Sequence, residues 1–173
     1  MALSHRVCAD NGWLLSQVRF YTGYPTIAHD PFWGAYWQKR LLALTRQGIH
    51  MFKRELRYRE EVVRLADRST ITVTVGKEKG VDVRLALDVV RLALDDKYDV
   101  AIIFSQDQDL SEAAAEVRAI SKRTQRWIKV ACAFPVGPRT QNRRGIDRTD
   151  WLPIDQAVYD ACLDARDYRP SRT

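Results

Sequence analysis

An apolar strand pattern runs directly into two aspartates in the stretch Val100-Ala101-Ile102-Ile103-Phe104-Ser105-Gln106-Asp107-Gln108-Asp109-Leu110. Its first five residues are all apolar, which is typical of a strand buried on both faces. A helical pattern follows at once and runs from residue 110 to about residue 122. Carboxylates at the carboxyl end of such a strand lie where open α/β sheets bind their ligands. Because the two acids repel each other, we expect a positive group between them, most simply a divalent metal ion.

Strand and helix patterns alternate along the rest of the chain. The predicted strands are residues 18–22, 49–56, 62–65, 70–75, 100–104, 127–133 and 151–154. The predicted helices are residues 31–47, 81–94, 110–122 and 155–163, after the end of a helix at residues 3–9. Residues 62–65 and 70–75 are expected to pair as a hairpin. This order predicts one α/β domain over residues 1–173, with a mainly parallel sheet and right-handed crossovers.

Composition narrows the class of protein. The chain has 173 residues, which is enough for one domain with a real core. It carries 28 Lys and Arg against 22 Asp and Glu, so the net charge of +6 fits either a polyanionic partner or a solvated surface. Its three cysteines form no C-x-x-C pair, which argues against a disulfide framework or a zinc site and favours the cytoplasm. No apolar run approaches the roughly 20 residues of a membrane span, so no membrane partner is expected.

A second acidic stretch precedes the apolar strand, in Lys77-Glu78-Lys79-Gly80-Val81-Asp82-Val83-Arg84-Leu85-Ala86-Leu87-Asp88. Asp82 falls in the first turn of a predicted helix, where the helix dipole alone would favour a carboxylate. Its functional interpretation is a third acid that faces Asp107 and Asp109. Asp88 lies deeper in the same helix, on another face, and needs a partner such as a serine hydroxyl or a lysine. We interpret Asp88 as a structural or supporting residue behind the acids.

Asp109 also has a purely structural interpretation. The sequence Asp109-Leu110-Ser111-Glu112 fits a capping box, with Asp109 as the N-cap and Glu112 at the third helical position. Asp107 has no comparable local role, so it is the stronger catalytic candidate. Ser105 would either bond a carboxylate or simply end the strand.

Taken together, Lys79-Gly80-Val81-Asp82-Val83, the later Asp88 and Ser105-x-Asp107-x-Asp109-Leu110 resemble the NYN domain family, which belongs to the PIN-like nucleases. The resemblance covers most of the chain. It implies a three-layer αβα, PIN-like (Rossmann-like) fold with a β-hairpin insertion. It also implies a metal-dependent ribonuclease that hydrolyses RNA, in which Asp82, Asp107 and Asp109 are catalytic and bind Mg²⁺ or Mn²⁺. Ser105, Asp88 and Lys79 would support these acids.

The beginning of the chain departs from this family. Family members usually begin with a strand that carries an aspartate and a nearby asparagine, whereas Asp10-Asn11 here is typical of a turn. We therefore expect a chain truncated at its amino end, which lacks one acid and leaves strand edges for a second copy or a partner chain to complete. The alternative function is a non-catalytic RNA-binding or interaction domain derived from a nuclease fold. A phosphatase or topoisomerase-primase-like domain is a weaker third possibility, because it also places D-x-D after a strand.

Basic and aromatic residues supply candidate contacts to RNA. Arg57 and Arg59, in the predicted hairpin region, resemble a bacterial subgroup of the family, as do Arg143 and Arg144 in a late loop. Guanidinium groups can bind two phosphate oxygens, although about half of such arginines are expected to be merely solvated. Tyr24, in a turn, is the best candidate for stacking on a base. The helical spacing of Trp33 and Trp37 predicts core positions instead.

Overall fold

Five helices and seven strands alternate in the computed structural model, which describes residues 1–170. The α-helices are α1 (Ala2–Asp10), α2 (Pro31–Arg46), α3 (Val81–Leu94), α4 (Ser111–Thr124) and α5 (Gln156–Ala161). The strands are β1 (Arg19–Tyr24), β2 (His50–Glu55), β3 (Arg57–Arg64), β4 (Thr70–Lys77), β5 (Val100–Ile103), β6 (Lys129–Pro135) and β7 (Asp150–Ile154). The chain divides into two units. The first contains Met1–Ser16 and Asp82–Asp164, and the second contains Gln17–Val81 and the residues from Ala165 onward.

The first unit is built on a parallel three-stranded sheet in the order β5-β6-β7. Its core joins the apolar faces of α3 and α4 to β5 and β6, and includes Val117, Ile120 and Cys132, each with no exposed surface. Because all three strands run the same way, the segments that follow β5 and β6 leave the sheet at the same edge. The two candidate acids therefore emerge beside the loop that connects β6 to β7.

The second unit contains a parallel pair and an antiparallel hairpin. Helix α2 connects β1 to β2, with Pro31 in its first turn and Asp30 as its N-cap, whose carboxylate accepts a hydrogen bond from the backbone N–H of Trp33 at 2.9 Å. Strands β3 and β4 pair over eight residues each, from Arg57 opposite Lys77 to Arg64 opposite Thr70. The hairpin predicted for residues 62–65 and 70–75 is confirmed, and it is longer than its β-branched residues indicated.

The expected α/β class is confirmed, with mixed helices and strands and small parallel sheets. One core assignment is wrong, because Trp33 is 49% exposed and packs edge-on against Phe32 and Tyr36 in the first helical turns. Leu41, two turns further along the same face, is buried. The last three residues of the predicted 1–173 domain lie outside the described residues. Within residues 1–170, no helix is both long enough and apolar enough to cross a membrane.

Candidate functional site

The segment between β5 and α4 forms a tight acidic turn, defined here as residues 105–109. The Asp107 carboxylate accepts a hydrogen bond from the backbone N–H of Asp109 at 3.0 Å, and so caps a short 3₁₀ helix at Gln108–Leu110. Ser105 Oγ accepts a hydrogen bond from the backbone N–H of Asp107 at 3.1 Å. Leu110 is buried, whereas Asp107 and Asp109 are exposed. The turn is therefore anchored at its apolar end and presents both acids to solvent.

This geometry corrects the capping prediction. The N-cap of α4 is Leu110, which has no side-chain cap, and Glu112 forms an ion pair with Arg148 at 3.2 Å instead of closing a capping box. The physical reason is the intervening 3₁₀ helix, which moves the capping position two residues back along the chain. The expectation that Asp107 has no local structural role is therefore wrong. Asp109 does not cap α4, so of the two acids it is Asp107 whose carboxylate holds the turn together.

Asp82 is exposed in the first turn of α3, the helix that leads into β5. From Asp82 onward, α3 belongs to the same unit as β5 and the acidic turn. Across residues 1–170, however, no three His, Cys, Asp or Glu side chains are grouped closely enough to hold a metal ion. Mg²⁺ usually keeps several waters and needs only one or two carboxylates, so the pair in the acidic turn fits such an ion chemically. The three-acid set stays a prediction.

Asp88 is buried, with 3% of its surface exposed, and its partners include two arginines on its own helix. Arg84 Nη2 lies 3.1 Å and Arg91 Nη2 lies 3.7 Å from Asp88 Oδ1. These arginines lie four residues before and three residues after Asp88 in the chain, so they reach it from the adjacent turns of the same helix. The buried carboxylate is thus paired, as burial of a charge requires.

Sequence reasoning missed a set of hydrogen bonds made by the residues between the acids. Gln106 Nε2 donates to two backbone carbonyl oxygens, those of Asn142 at 3.2 Å and Arg144 at 2.9 Å. Both carbonyls belong to residues 142–147, which we call the arginine loop, in the connection from β6 to β7. Gln106 therefore binds the backbone on either side of Arg143.

Gln108 makes a second attachment to the arginine loop. Its Nε2 donates to the Gly145 carbonyl oxygen at 2.9 Å, and its Oε1 accepts from the backbone N–H of Asp147 at 3.1 Å. We call the four hydrogen bonds of Gln106 and Gln108 the glutamine clamp. The partners are 36 to 39 residues apart in the chain, so no local sequence pattern could reveal them.

The arginine loop is also fastened to the core through Ile146, which has no exposed surface. The backbone N–H of Ile146 donates to Cys132 Sγ at 3.3 Å, and Trp151 Nε1 donates to the Ile146 carbonyl at 2.8 Å. The Cys132 thiol in turn donates to the Ser105 carbonyl at 2.9 Å, and burial raises the pKa of this thiol. Gly145 packs so closely on Trp151 that a Cβ would lie 2.7 Å from Cδ1 of the indole. The loop backbone is thus held at several points beside the acidic turn.

Two of the four arginines predicted to contact RNA, Arg143 and Arg144, lie in the arginine loop and differ in their surroundings. Arg144 forms an ion pair with Asp147, with Nη2 2.8 Å from both carboxylate oxygens. Arg143 is exposed and has no ion pair among residues 1–170. Because the Arg144 pair is itself exposed, it contributes little stability, and a phosphate could replace its carboxylate partner.

The remaining candidate contacts lie in the second unit. Arg57 is exposed on β3, and Arg59 pairs with Glu61 at 2.7 Å; hydrogen bonds from Lys77 and Arg59 lower the pKa of Glu61. Tyr24, which was expected in a turn, is instead the half-buried last residue of β1, and burial together with the neighbouring Glu55 raises its pKa. The Lys79 carbonyl oxygen accepts a hydrogen bond from Arg54 at 3.3 Å. All of these residues belong to the second unit, whereas the acidic turn belongs to the first.

A comparison with known protein families agrees with the α/β fold. The model of the NYN domain matches residues 35–132, more than half of the chain, and this span contains Asp82, Asp107 and Asp109. Such a domain indicates a PIN-like, nuclease-type fold. The chain belongs to the NYN domain family. Neither a curated protein nor a solved structure matches it.

Proposed function

We propose that this protein is a metal-dependent ribonuclease that hydrolyses RNA phosphodiester bonds at the acidic turn. The observation that carries the proposal is the exposure of two carboxylates, Asp107 and Asp109, at the carboxyl end of β5, within the span that matches the NYN domain. Both acids lie on a turn fixed by hydrogen bonds, next to a loop that presents guanidinium groups.

Asp107 and Asp109 would hold Mg²⁺ or Mn²⁺, with Asp82 as the third ligand. When bound, such an ion lowers the pKa of a coordinated water and stabilises the departing oxygen of the phosphodiester. The protein supplies the fixed geometry, since Ser105 holds the backbone of Asp107 and Asp107 holds that of Asp109. Asp88 would support the helix that carries Asp82, through the ion pairs of its buried carboxylate with two arginines of that helix. Lys79 would support Asp82 as well, because it lies three residues before Asp82 in the chain.

RNA is the proposed substrate because the chain offers both phosphate-binding and base-stacking groups. Residues 17–81 contain twelve Lys and Arg but six Asp and Glu, whereas the rest of the chain is balanced. Arg57 and Arg59 belong to that basic segment, Arg143 and Arg144 lie beside the acids, and Tyr24 offers a ring face. Guanidinium groups would bind the backbone while Tyr24 stacks on an unpaired base. The three cysteines are free, as is usual in a reducing compartment, and the cytoplasm is the location that we propose.

The test is cleavage of a labelled, mostly single-stranded RNA with Mn²⁺, by wild type and by Asp107→Asn, with EDTA as the metal-free control. Asp155→Asn is the matched variant, because Asp155 also caps a helix through its side chain, accepting from the backbone N–H of Val158 at 2.8 Å. We expect metal-dependent cleavage by wild type and Asp155→Asn, and its loss in Asp107→Asn. Equal cleavage by wild type and Asp107→Asn would contradict the proposal.

One observation favours a second function, which is RNA binding without hydrolysis. The described residues bring together no three metal-ligating side chains, so the acids as they stand offer few ligands for an ion. In that case purified protein would bind the same RNA with an affinity that falls steeply with salt and would cleave nothing in Mn²⁺. The cleavage experiment, combined with a binding titration, separates the two functions.

A further inference from the structure

We propose that Gln106 and Gln108 are positioning residues, which fix the arginine loop beside the acidic turn so that Arg143 binds an RNA phosphate next to the acids. This inference rests on the proposed function, because it assigns to that same site the group that holds the substrate. The arginine loop lies outside the span that matches the NYN domain, so the assignment comes from the contacts of this chain.

The first argument is the alternation of roles along the acidic turn. Asp107 and Asp109 present their carboxylates to solvent, while the residues next to them, Gln106 and Gln108, turn to the arginine loop. Gln106 uses its amide group to bind two carbonyl oxygens, and Gln108 uses its amide as donor and acceptor at once. A five-residue stretch therefore contains both the two acids and the two side chains that bind the arginine loop.

The second argument is what the clamp holds in place. Gln106 binds the carbonyls of Asn142 and Arg144, which flank Arg143 on both sides. The Arg143 guanidinium is exposed and has no ion pair within residues 1–170, so it is open to an anion. The neighbouring Arg144 is neutralised by Asp147, which leaves Arg143 as the stronger phosphate-binding candidate of the two.

The third argument is electrostatic. Two exposed carboxylates repel the negative charge of a phosphodiester, so an acidic turn alone is a poor binding site for RNA. A guanidinium fixed beside the turn offsets that repulsion and can bind two phosphate oxygens. Because fixing the loop before RNA arrives lowers the ordering cost of binding, the clamp should act on affinity more than on the chemical step.

The experiment uses Gln106→Met and Gln108→Met, which keep the side-chain length but remove the hydrogen bonds. The matched control is Gln156→Met, because Gln156 is an exposed glutamine whose Nε2 donates to Asp160 within α5. The rate of trypsin cleavage after Arg143 and Arg144 is measured by mass spectrometry relative to cleavage after Arg118. This ratio shows how readily the arginine loop opens in the absence of RNA. We expect each clamp variant to speed this cleavage by about tenfold, as expected for the loss of two hydrogen bonds.

The same variants are then compared in RNA binding and cleavage. We expect the Kd and the KM to rise about tenfold while kcat at saturating RNA changes less than about twofold. Arg143→Ala should reproduce the rise, and adding it to Gln106→Met should increase the Kd no further, since both changes remove one contact. Circular dichroism of each variant shows that the fold is kept.

The outcomes separate the two proposals. Unchanged trypsin cleavage and unchanged KM in the clamp variants would overturn the positioning role, as would a fall in kcat at constant KM. Wild-type protein that binds RNA but cleaves nothing would overturn the ribonuclease proposal alone, because the Kd ratios still decide the positioning role. Wild-type protein that neither binds nor cleaves RNA would overturn both.

Discussion

The two roles of Asp107 can be separated by two substitutions. Asp107→Asn removes the negative charge but keeps a side-chain oxygen. This oxygen can still accept the hydrogen bond from the backbone N–H of Asp109, which is 3.0 Å long in the wild type. Asp107→Ala removes both the charge and the acceptor. If Asp107 caps the 3₁₀ helix and also serves catalysis, the first variant should lose only activity and the second should lose activity and stability.

The expected magnitudes follow from the geometry of the turn. Asparagine and aspartate are comparable N-caps, and replacement by alanine typically costs about 1 kcal/mol. Asp107→Asn also relieves repulsion from Asp109, so we expect its free energy of unfolding to stay within about 0.5 kcal/mol of wild type. Asp107→Ala should lose about 1 kcal/mol, which in a chain of this size lowers Tm by about 2–4 °C. Both variants should lose about 100-fold or more in cleavage rate, as for other groups that stabilise transition-state charge.

The assays are thermal and guanidinium unfolding, followed in parallel with cleavage of labelled RNA in Mn²⁺. Asp155→Asn and Asp155→Ala at the cap of α5 provide the same comparison away from the acids. Equal destabilisation by Asp107→Asn and Asp107→Ala would refute the capping argument. Retained cleavage in Asp107→Asn, with unfolding unchanged, would refute the catalytic one.

Three further predictions concern the core, pH and cysteine reactivity. Ile120→Ala, at a position with no exposed surface, should lower the free energy of unfolding by about 2–5 kcal/mol in guanidinium titrations, and a loss below about 1 kcal/mol would contradict that packing. A side-chain hydrogen bond from Arg169 lowers the pKa of Asp167 to about 2 from 3.8, so stability from the charged carboxylate is complete above 3.8 and disappears as the pH falls through about 2. Carbon-13 NMR titration of Arg169→Ala should show the Asp167 pKa raised toward 3.8, and an unchanged value would exclude the Arg169 side chain as the cause. A thiol reagent at pH 8 should modify the half-buried Cys162 well before Cys132, whose burial raises its pKa, and equal rates would contradict this burial.

Local signals were enough to predict most of the fold. The β3–β4 hairpin followed from β-branched runs on either side of a polar turn, and α2 followed from Pro31 at its start and Gly48 just beyond its end. The apolar run before Asp107 identified β5 and, with it, the edge of the sheet where the acids lie. Each of these signals is contained within a few consecutive residues.

The parts that sequence could not predict depend on distant or competing contacts. The glutamine clamp joins residues more than 35 positions apart, and a glutamine in a polar turn is indistinguishable from a solvated one. The capping position moved from Asp109 to Asp107 because a 3₁₀ helix, with little sequence signature of its own, precedes α4. Trp33 has the spacing of a core residue, but its side chain remains half exposed.

The alternation of Gln106, Asp107, Gln108 and Asp109 has an evolutionary consequence. Neighbouring positions in the acidic turn serve two different purposes. Inserting or deleting a single residue there would therefore place glutamines where the acids face solvent and acids where the glutamines bind the arginine loop. The length of that turn is therefore fixed more strictly than the length of an ordinary surface loop. Glutamine at 106 and 108 should also depend on the length and backbone conformation of residues 142–147, because the clamp binds backbone atoms there, whereas the acids are free of that dependence. Relatives with a different arginine loop are expected to keep the aspartates and to differ at the glutamines.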